Sequence, residues 1–313
     1  MQARNAQLSL LLALLAAVSI LSIANTHAHL KTDIASICSD ARASIRAATF
    51  EKRYGTIAAK AFVVQDVASG EMLAARDART ALPLASLTKL MTLRIALQHS
   101  APNEFYTVQS EDLLLDPPIG YAAGQTYRIG EITKAVLVAS SNNGASMLAS
   151  SSGLQREDFI AAMNAEARTL GLSTLRYESV SGLDTGNDTI ATAWGSARDI
   201  VSLLARDAAD FPDIMAFSTQ RRVVMTDTAG ATTKLENTDK AIDRLPLLIA
   251  SKTGYTDVAG GNLAVLWKTP TGKVLGAAVL GSTESGRFAD MIALHDAATA
   301  YLAAAGALPD ECI

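Results

Sequence analysis

The sequence predicts an α/β (α+β) fold, with one antiparallel sheet, flanking helices and a mostly helical lobe. Three observations predict it. Apolar strand-type runs lie early, at residues 61–64 and 72–74, and return late, between residues 222 and 280. The stretch between them, from about residue 112 to 217, is alanine-rich and follows helical spacing. A last helical pattern, from about residue 287 to 304, closes the chain. With 313 residues, 49% of them hydrophobic and 19% charged, the chain can bury a substantial core. Its net charge of −4 and 5% aromatic content offer neither a basic field nor stacking surfaces, so no nucleic-acid partner is expected.

The first segment, residues 1–29, stands apart. Arg4 is the only charged side chain before an apolar run from residue 8 to 24. A short charged region followed by an apolar one has the pattern of an export signal. Its length is at the lower limit for crossing a bilayer, so cleaved signal and N-terminal membrane anchor both remain open. Export would place the protein outside the cytoplasm, periplasmic or extracellular, with membrane contact only through this segment. Residues 30–55 form a helical or linker segment. The main domain is expected over residues 56–305, with a C-terminal tail at 306–313. Export also permits a disulfide, and the two cysteines, Cys38 and Cys312, are either paired or free. No Cys/His spacing suits a metal, and no cofactor is expected.

Within the main domain, the runs at 61–64 and 72–74 flank Ala68-Ser69-Gly70 and predict a hairpin. Pro83 precedes an apolar helix expected from about residue 86 to 98. The helical block is broken by polar loops at residues 140–144 and 181–187. Strands are expected at residues 222–225 and 232–235, around 252–253, at 263–267 and at 274–280. The last two are joined by a turn containing Pro270 and Gly272. The early hairpin and the late strands would share one sheet, with a cleft between it and the helical lobe.

Three short motifs carry chemistry. Ser86-Leu87-Thr88-Lys89 has the form S-x-x-K. Positions i and i+3 share a helix face, so Lys89 would lie within reach of the Ser86 hydroxyl. A lysine serves as base only when burial or a nearby cation lowers its pKa, and Leu87, Leu90, Met91 and Leu93 could supply the burial. Ser140-Ser141-Asn142 has the form S-x-N, although Ser141-Asn142-Asn143 fits it too. A hydroxyl there can relay a proton, and an amide can bond both substrate and catalytic side chain. Lys252-Thr253-Gly254, which occurs once, is expected on a strand lining the cleft. Its lysine supplies positive charge, its threonine a hydroxyl, and its glycine lets a substrate backbone approach. Each motif alone also suits a cap, a polar loop or an edge strand. Their order and contexts together favour an acyl-transfer site. None of the four histidines, His27, His29, His99 and His295, suits a Ser-His-Asp triad, which leaves lysine as the activating base.

This set resembles that of penicillin-binding proteins and class A β-lactamases. The flanks, Pro83-Leu84-Ala85-Ser86-Leu87-Thr88-Lys89-Leu90-Met91-Thr92 and Lys252-Thr253-Gly254-Tyr255-Thr256-Asp257, resemble the serine-type D-alanyl-D-alanine carboxypeptidase family in particular. So do Ala259-Gly260-Gly261-Asn262-Leu263, Ser196-Ala197-Arg198-Asp199 and Asn237-Thr238. The resemblance spans about residues 57–304. It implies a β-lactamase/transpeptidase-like fold and removal of the terminal D-alanine from peptidoglycan stem peptides, with β-lactam antibiotics as inhibitors. It implies Ser86 as nucleophile and Lys89 as acylation base. Ser140 and Lys252 would pass a proton to the leaving amine, and Asn142 would hold the substrate amide. Thr253 would bind the terminal carboxylate beside Gly254, and the backbone N–H groups of Ser86 and Tyr255 would form the oxyanion hole.

Asn142 is followed by Asn143-Gly144, where the family often has Asp-Ala, so local loop geometry is expected to differ. A class A β-lactamase would also need a deacylating glutamate in an E-x-x-L-N context. Glu157, Glu166, Glu178 and Glu236 all lack it. Endopeptidase or transpeptidase action uses the same acyl-enzyme and stays open, as does a non-catalytic wall-binding protein on the same fold.

Overall fold

The computed structural model describes residues 35–116 and 119–308. The export segment expected at residues 1–29 lies outside them, as do Cys312 and most of the C-terminal tail. The described residues fall into two compact units: residues 35–52 with 300–308, and the described residues of 53–299. In the first, residues 35–46 are helical and lead into a π-helical turn, Ala47–Glu51. Phe50 packs against Tyr301 there, with ring centroids 6.1 Å apart. Cys38 is disulfide-bonded, not a free thiol. Among the described residues, no helix is long and apolar enough to cross a membrane.

The second unit is built on five antiparallel strands: β1 (Ala61–Asp66), β2 (Met72–Arg76), β3 (Leu248–Thr256), β4 (Gly260–Lys268) and β5 (Val274–Ser282). Their order in the sheet is β3-β4-β5-β1-β2, so the early hairpin pairs with the last strand, Ala61 opposite Leu280. Strands β1 and β4 are buried along almost their whole length, as expected of strands covered on both faces. Helix α5 (Ala197–Asp210) packs on β1, β4 and β5. Its N-cap Ser196 accepts from the Asp199 N–H, which ends the preceding extended segment. The last helix, α6 (Gly286–Ala305), meets the sheet where His295 packs on Trp267 at 5.2 Å between ring centroids.

The other helices form the lobe: α1 (Lys89–His99), α2 (Ile129–Leu137), α3 (Asn142–Ser151) and α4 (Arg156–Thr169). Helix α1 contacts α3, α4 and α5, and Leu90, Met91, Leu93 and Ile95 are fully buried in the common core. All-round burial explains why this helix shows little amphipathic patterning in sequence.

Two elements differ from the sequence reading. The strands Arg222–Thr226 and Thr232–Glu236 form a separate two-stranded ladder and do not join the main sheet. Alternate exposure of their residues shows one solvated face, which is enough for a hairpin packed on α2. The expected helix from residue 86 begins as a 3-10 turn, Ala85–Thr88, and becomes α-helical only at Lys89.

Candidate active site

That 3-10 turn matters because side chains at i and i+3 nearly eclipse in it, closer than in an α-helix. Lys89 therefore lies directly over Ser86, and its Nζ donates to Ser86 Oγ at 2.6 Å. The turn is held from several sides. Ala85 takes a left-handed backbone, φ +48°, which costs a non-glycine residue about 1–3 kcal/mol. The Thr88 hydroxyl donates to the Ala85 carbonyl at 2.7 Å. Asn262 on β4 donates to the Pro83 carbonyl at 3.0 Å and accepts from the Gly281 N–H at 2.8 Å, tying the turn to the sheet. Gly182 crosses so close that an added Cβ would lie 2.0 Å from the Ala85 carbonyl oxygen.

Lys89 is completely buried and donates to two further acceptors, Asn142 Oδ1 at 2.6 Å and the Ser181 carbonyl at 2.9 Å. Among the described residues, no carboxylate accepts from it. Burial brings its pKa down to about 7, against a smaller upward pull from Asp116. Near neutral pH this lysine can therefore exist unprotonated, with its nitrogen on the Ser86 hydroxyl.

A second hydroxyl–lysine pair stands beside the first. Lys252 Nζ, on β3, donates to Ser140 Oγ at 2.8 Å and to the Thr253 carbonyl at 2.8 Å. Its pKa lies well below the usual lysine value because of burial and the positive fields of Lys89 and Arg287. Ser140, like Ala85, takes a left-handed backbone, φ +57°. This sharp bend directs its hydroxyl to Lys252 while Ser141 starts α3. Ser141 is buried, and its Oγ accepts from the Gly144 N–H at 2.9 Å as an N-cap. Of the two S-x-N registers, the one beginning at Ser140 therefore puts its hydroxyl on a lysine. Ser86 and Ser140 keep partial exposure, while Lys89 and Lys252 have almost none.

Strand β3 passes close to the Ser86 turn: a Cβ on Gly254 would lie 2.8 Å from the Leu84 carbonyl oxygen and 3.2 Å from the Ser86 nitrogen. Only a glycine permits that approach without displacement. The Thr253 and Thr238 hydroxyls are 2.6 Å apart. Tyr255 remains 40% exposed, and its hydroxyl donates to Asp257 at 3.0 Å.

Four groups at this site were not singled out as functional from the sequence: Asp116, the Ser181 carbonyl, Thr238 and Arg287. Asp116 accepts from Asn142 Nδ2 at 2.6 Å. Arg287, on α6, donates to the Gly254 carbonyl at 3.2 Å and lies 5.7 Å from the centre of the Tyr255 ring. Asn237-Thr238 was noticeable as a family-like pair. An aspartate before two prolines and an arginine opening a terminal helix carry no local signal.

Residues 46–283 fit the D-alanyl-D-alanine carboxypeptidase (peptidase S11) family. The chain belongs to that family. It is a serine peptidase, a hydrolase. The D-alanyl-D-alanine carboxypeptidase DacB2 of Mycobacterium tuberculosis is 30% identical over 64% of this chain and 67% of its own length. A D-alanyl-D-alanine endopeptidase of Haemophilus influenzae is 29% identical over 67% of this chain and 70% of its own. The structure of penicillin-binding protein D2 from Listeria monocytogenes in its cefotaxime-bound form superposes with a TM-score of 0.66 at 28% identity, covering 77% of this chain and 97% of that one. The β-lactamase/transpeptidase-like fold expected from the resemblance is therefore the observed one.

Proposed function

We propose that this chain is an exported DD-carboxypeptidase that removes the terminal D-alanine of peptidoglycan stem peptides through an acyl-enzyme on Ser86. One observation carries the assignment: two buried lysines, each on a partly exposed serine hydroxyl, at 2.6 and 2.8 Å. Lys89, neutral in part near pH 7, takes the Ser86 proton as Oγ attacks the carbonyl between the two D-alanines. Backbone N–H groups of Ser86 and Tyr255 stabilise the oxyanion. As the C–N bond breaks, Ser140 gives its proton to the leaving amine and is reprotonated from Lys252. Water then attacks the Ser86 ester and releases the shortened peptide. Asn142 holds the substrate amide, and Thr253 with Lys252 receives the terminal carboxylate, whose charge favours a protonated Lys252. β-Lactams acylate the same hydroxyl. The family's action on peptidoglycan supports a periplasmic or extracellular location.

The test is covalent labelling by a fluorescent penicillin, with D-alanine release from a peptide ending in D-Ala-D-Ala, for the wild type and Ser86→Ala. The wild type is expected to label and release D-alanine, and the variant to do neither while staying folded. Labelling that persists in the variant removes Ser86 as nucleophile. A folded wild type that neither labels nor turns over supports a non-catalytic wall-binding protein. The endopeptidase relative favours one second reading, cleavage of D-alanyl cross-links by the same acyl-enzyme. Faster cleavage of a cross-linked dimer than of the pentapeptide would select it.

A further inference from the structure

The Asn142 side chain is held from both ends. Its Oδ1 accepts from Lys89 Nζ at 2.6 Å, and its Nδ2 donates to Asp116 Oδ2 at 2.6 Å. The Asn142 backbone N–H also points at that carboxylate oxygen, at 3.3 Å. An ionised carboxylate only accepts hydrogen bonds, so it can face only the nitrogen end of an amide. Asp116 thus decides which end of Asn142 meets the lysine. With the amide reversed, its NH2 group would confront the lysine ammonium, donor against donor.

The loop carrying Asp116 is itself clamped. Asn143 Oδ1 accepts from the Leu115 and Asp116 N–H groups at 3.0 and 3.1 Å, and Asn143 Nδ2 donates to the Asp116 carbonyl at 2.8 Å. In this chain the asparagine pair has divided its work: Asn142 faces the lysine and Asn143 anchors the loop behind it.

We infer that Asp116 is a positioning residue for acylation, acting through Asn142 to hold the Lys89 nitrogen on the Ser86 hydroxyl. The inference rests on the reading of Ser86 and Lys89 as nucleophile and base. Asp116 touches neither reacting atom. It fixes the amide, the amide fixes the ammonium or amine, and the second N–H of Asn142 Nδ2 remains for substrate. The carboxylate also has an electrostatic consequence. Among the described residues, the charged group that shifts Lys89 is Asp116 from this loop, while Lys89 and Arg287 act in turn on Lys252. Asp116 favours the protonated form of Lys89, so removing its charge moves proton uptake to lower pH.

The test compares Asp116→Ala and Asp116→Asn with the wild type in two readouts. One is the rate of acylation by a fluorescent penicillin across pH. The other is titration of lysine side chains by 13C NMR, with Lys89 assigned through Lys89→Ala. Asp116→Ala is expected to slow acylation about 10- to 100-fold, the usual cost of a misplaced catalytic group. Asp116→Asn, whose carbonyl can still accept from Asn142, is expected to recover most of that rate. In both variants the acid limb and the Lys89 titration move to lower pH. A merely structural residue would lower the amount of folded protein and leave both midpoints in place. Wild-type rates with unmoved midpoints in folded Asp116→Asn overturn the inference. If the wild type itself is not acylated, the reading of the site fails, and the Lys89 titration in Asp116→Asn still decides whether Asp116 acts on that lysine.

Discussion

Helix α1 carries two buried cations, five residues apart, which the fold treats in opposite ways. Lys89 meets a hydroxyl, an amide oxygen and a backbone carbonyl, all neutral acceptors, and burial brings its pKa to about 7. Arg94 meets three carboxylates: Glu166 at 2.7 Å, Asp210 at 2.8 Å and Asp207 at 3.2 Å. Those partners outweigh its burial and hold it firmly charged. Asp207 is itself fully buried, and its pKa lies well above the ordinary carboxylate range. The difference teaches how one helix serves two purposes. Where only neutral groups touch a buried cation, burial lets it lose its proton near neutral pH. Where carboxylates surround it, it becomes a permanent strut.

Three substitutions can break or sharpen that contrast. The largest effect is expected for Lys89→Ala, which removes the proposed base. Labelling by a fluorescent penicillin should fall about 10²–10⁴-fold with the fold intact. In the wild type the same rate should rise with pH through about 7 and level off above it, because the neutral amine is the active form. A wild-type rate that is flat between pH 5 and 9 would remove Lys89 as base. Next comes Arg94→Met. It leaves Asp207 buried without its counter-charge and should cost about 3–5 kcal/mol in urea unfolding, with the labelling rate per folded molecule unchanged. A rate lost without a loss of stability would show that the two cations are not independent. The smallest effect is expected for Thr253→Val. Losing one hydroxyl at the carboxylate end should lower kcat/KM on a D-Ala-D-Ala peptide about tenfold through KM, as for one hydrogen bond to a charged group.

The sequence made the site easier to read than its surroundings. S-x-x-K, S-x-N and K-T-G are local spacings, and each spacing is also a distance once its element forms. Ser86 and Lys89 needed only one helical turn to meet, although the observed turn is 3-10 and brings them closer than the expected α-helix would. The hairpin at residues 222–236 was legible as two strands, but not as a separate ladder, because pairing partners far along the chain leave no local trace. Asp116 and Arg287 went unnoticed for the same reason: their partners, Asn142 and Gly254, are distant in sequence. Both Ser140 and Ser141 fit the S-x-N spacing, and the family resemblance favoured Ser140; in the structure Ser140 takes a positive φ and meets Lys252, whereas Ser141 caps α3.

The sequence by itself determined the α/β order of elements, the identity of both lysine–serine pairs and the family. These depend on residue type and short spacing, which the chain carries locally. Only the tertiary structure decided the electrostatics. Lys89 and Lys252 become weak bases because α1, α3 and β3 close over them and exclude water, and Arg94 stays charged because α4 and α5 bring three carboxylates to it. A pKa is a property of surroundings, and here the surroundings come from segments that the sequence keeps far apart.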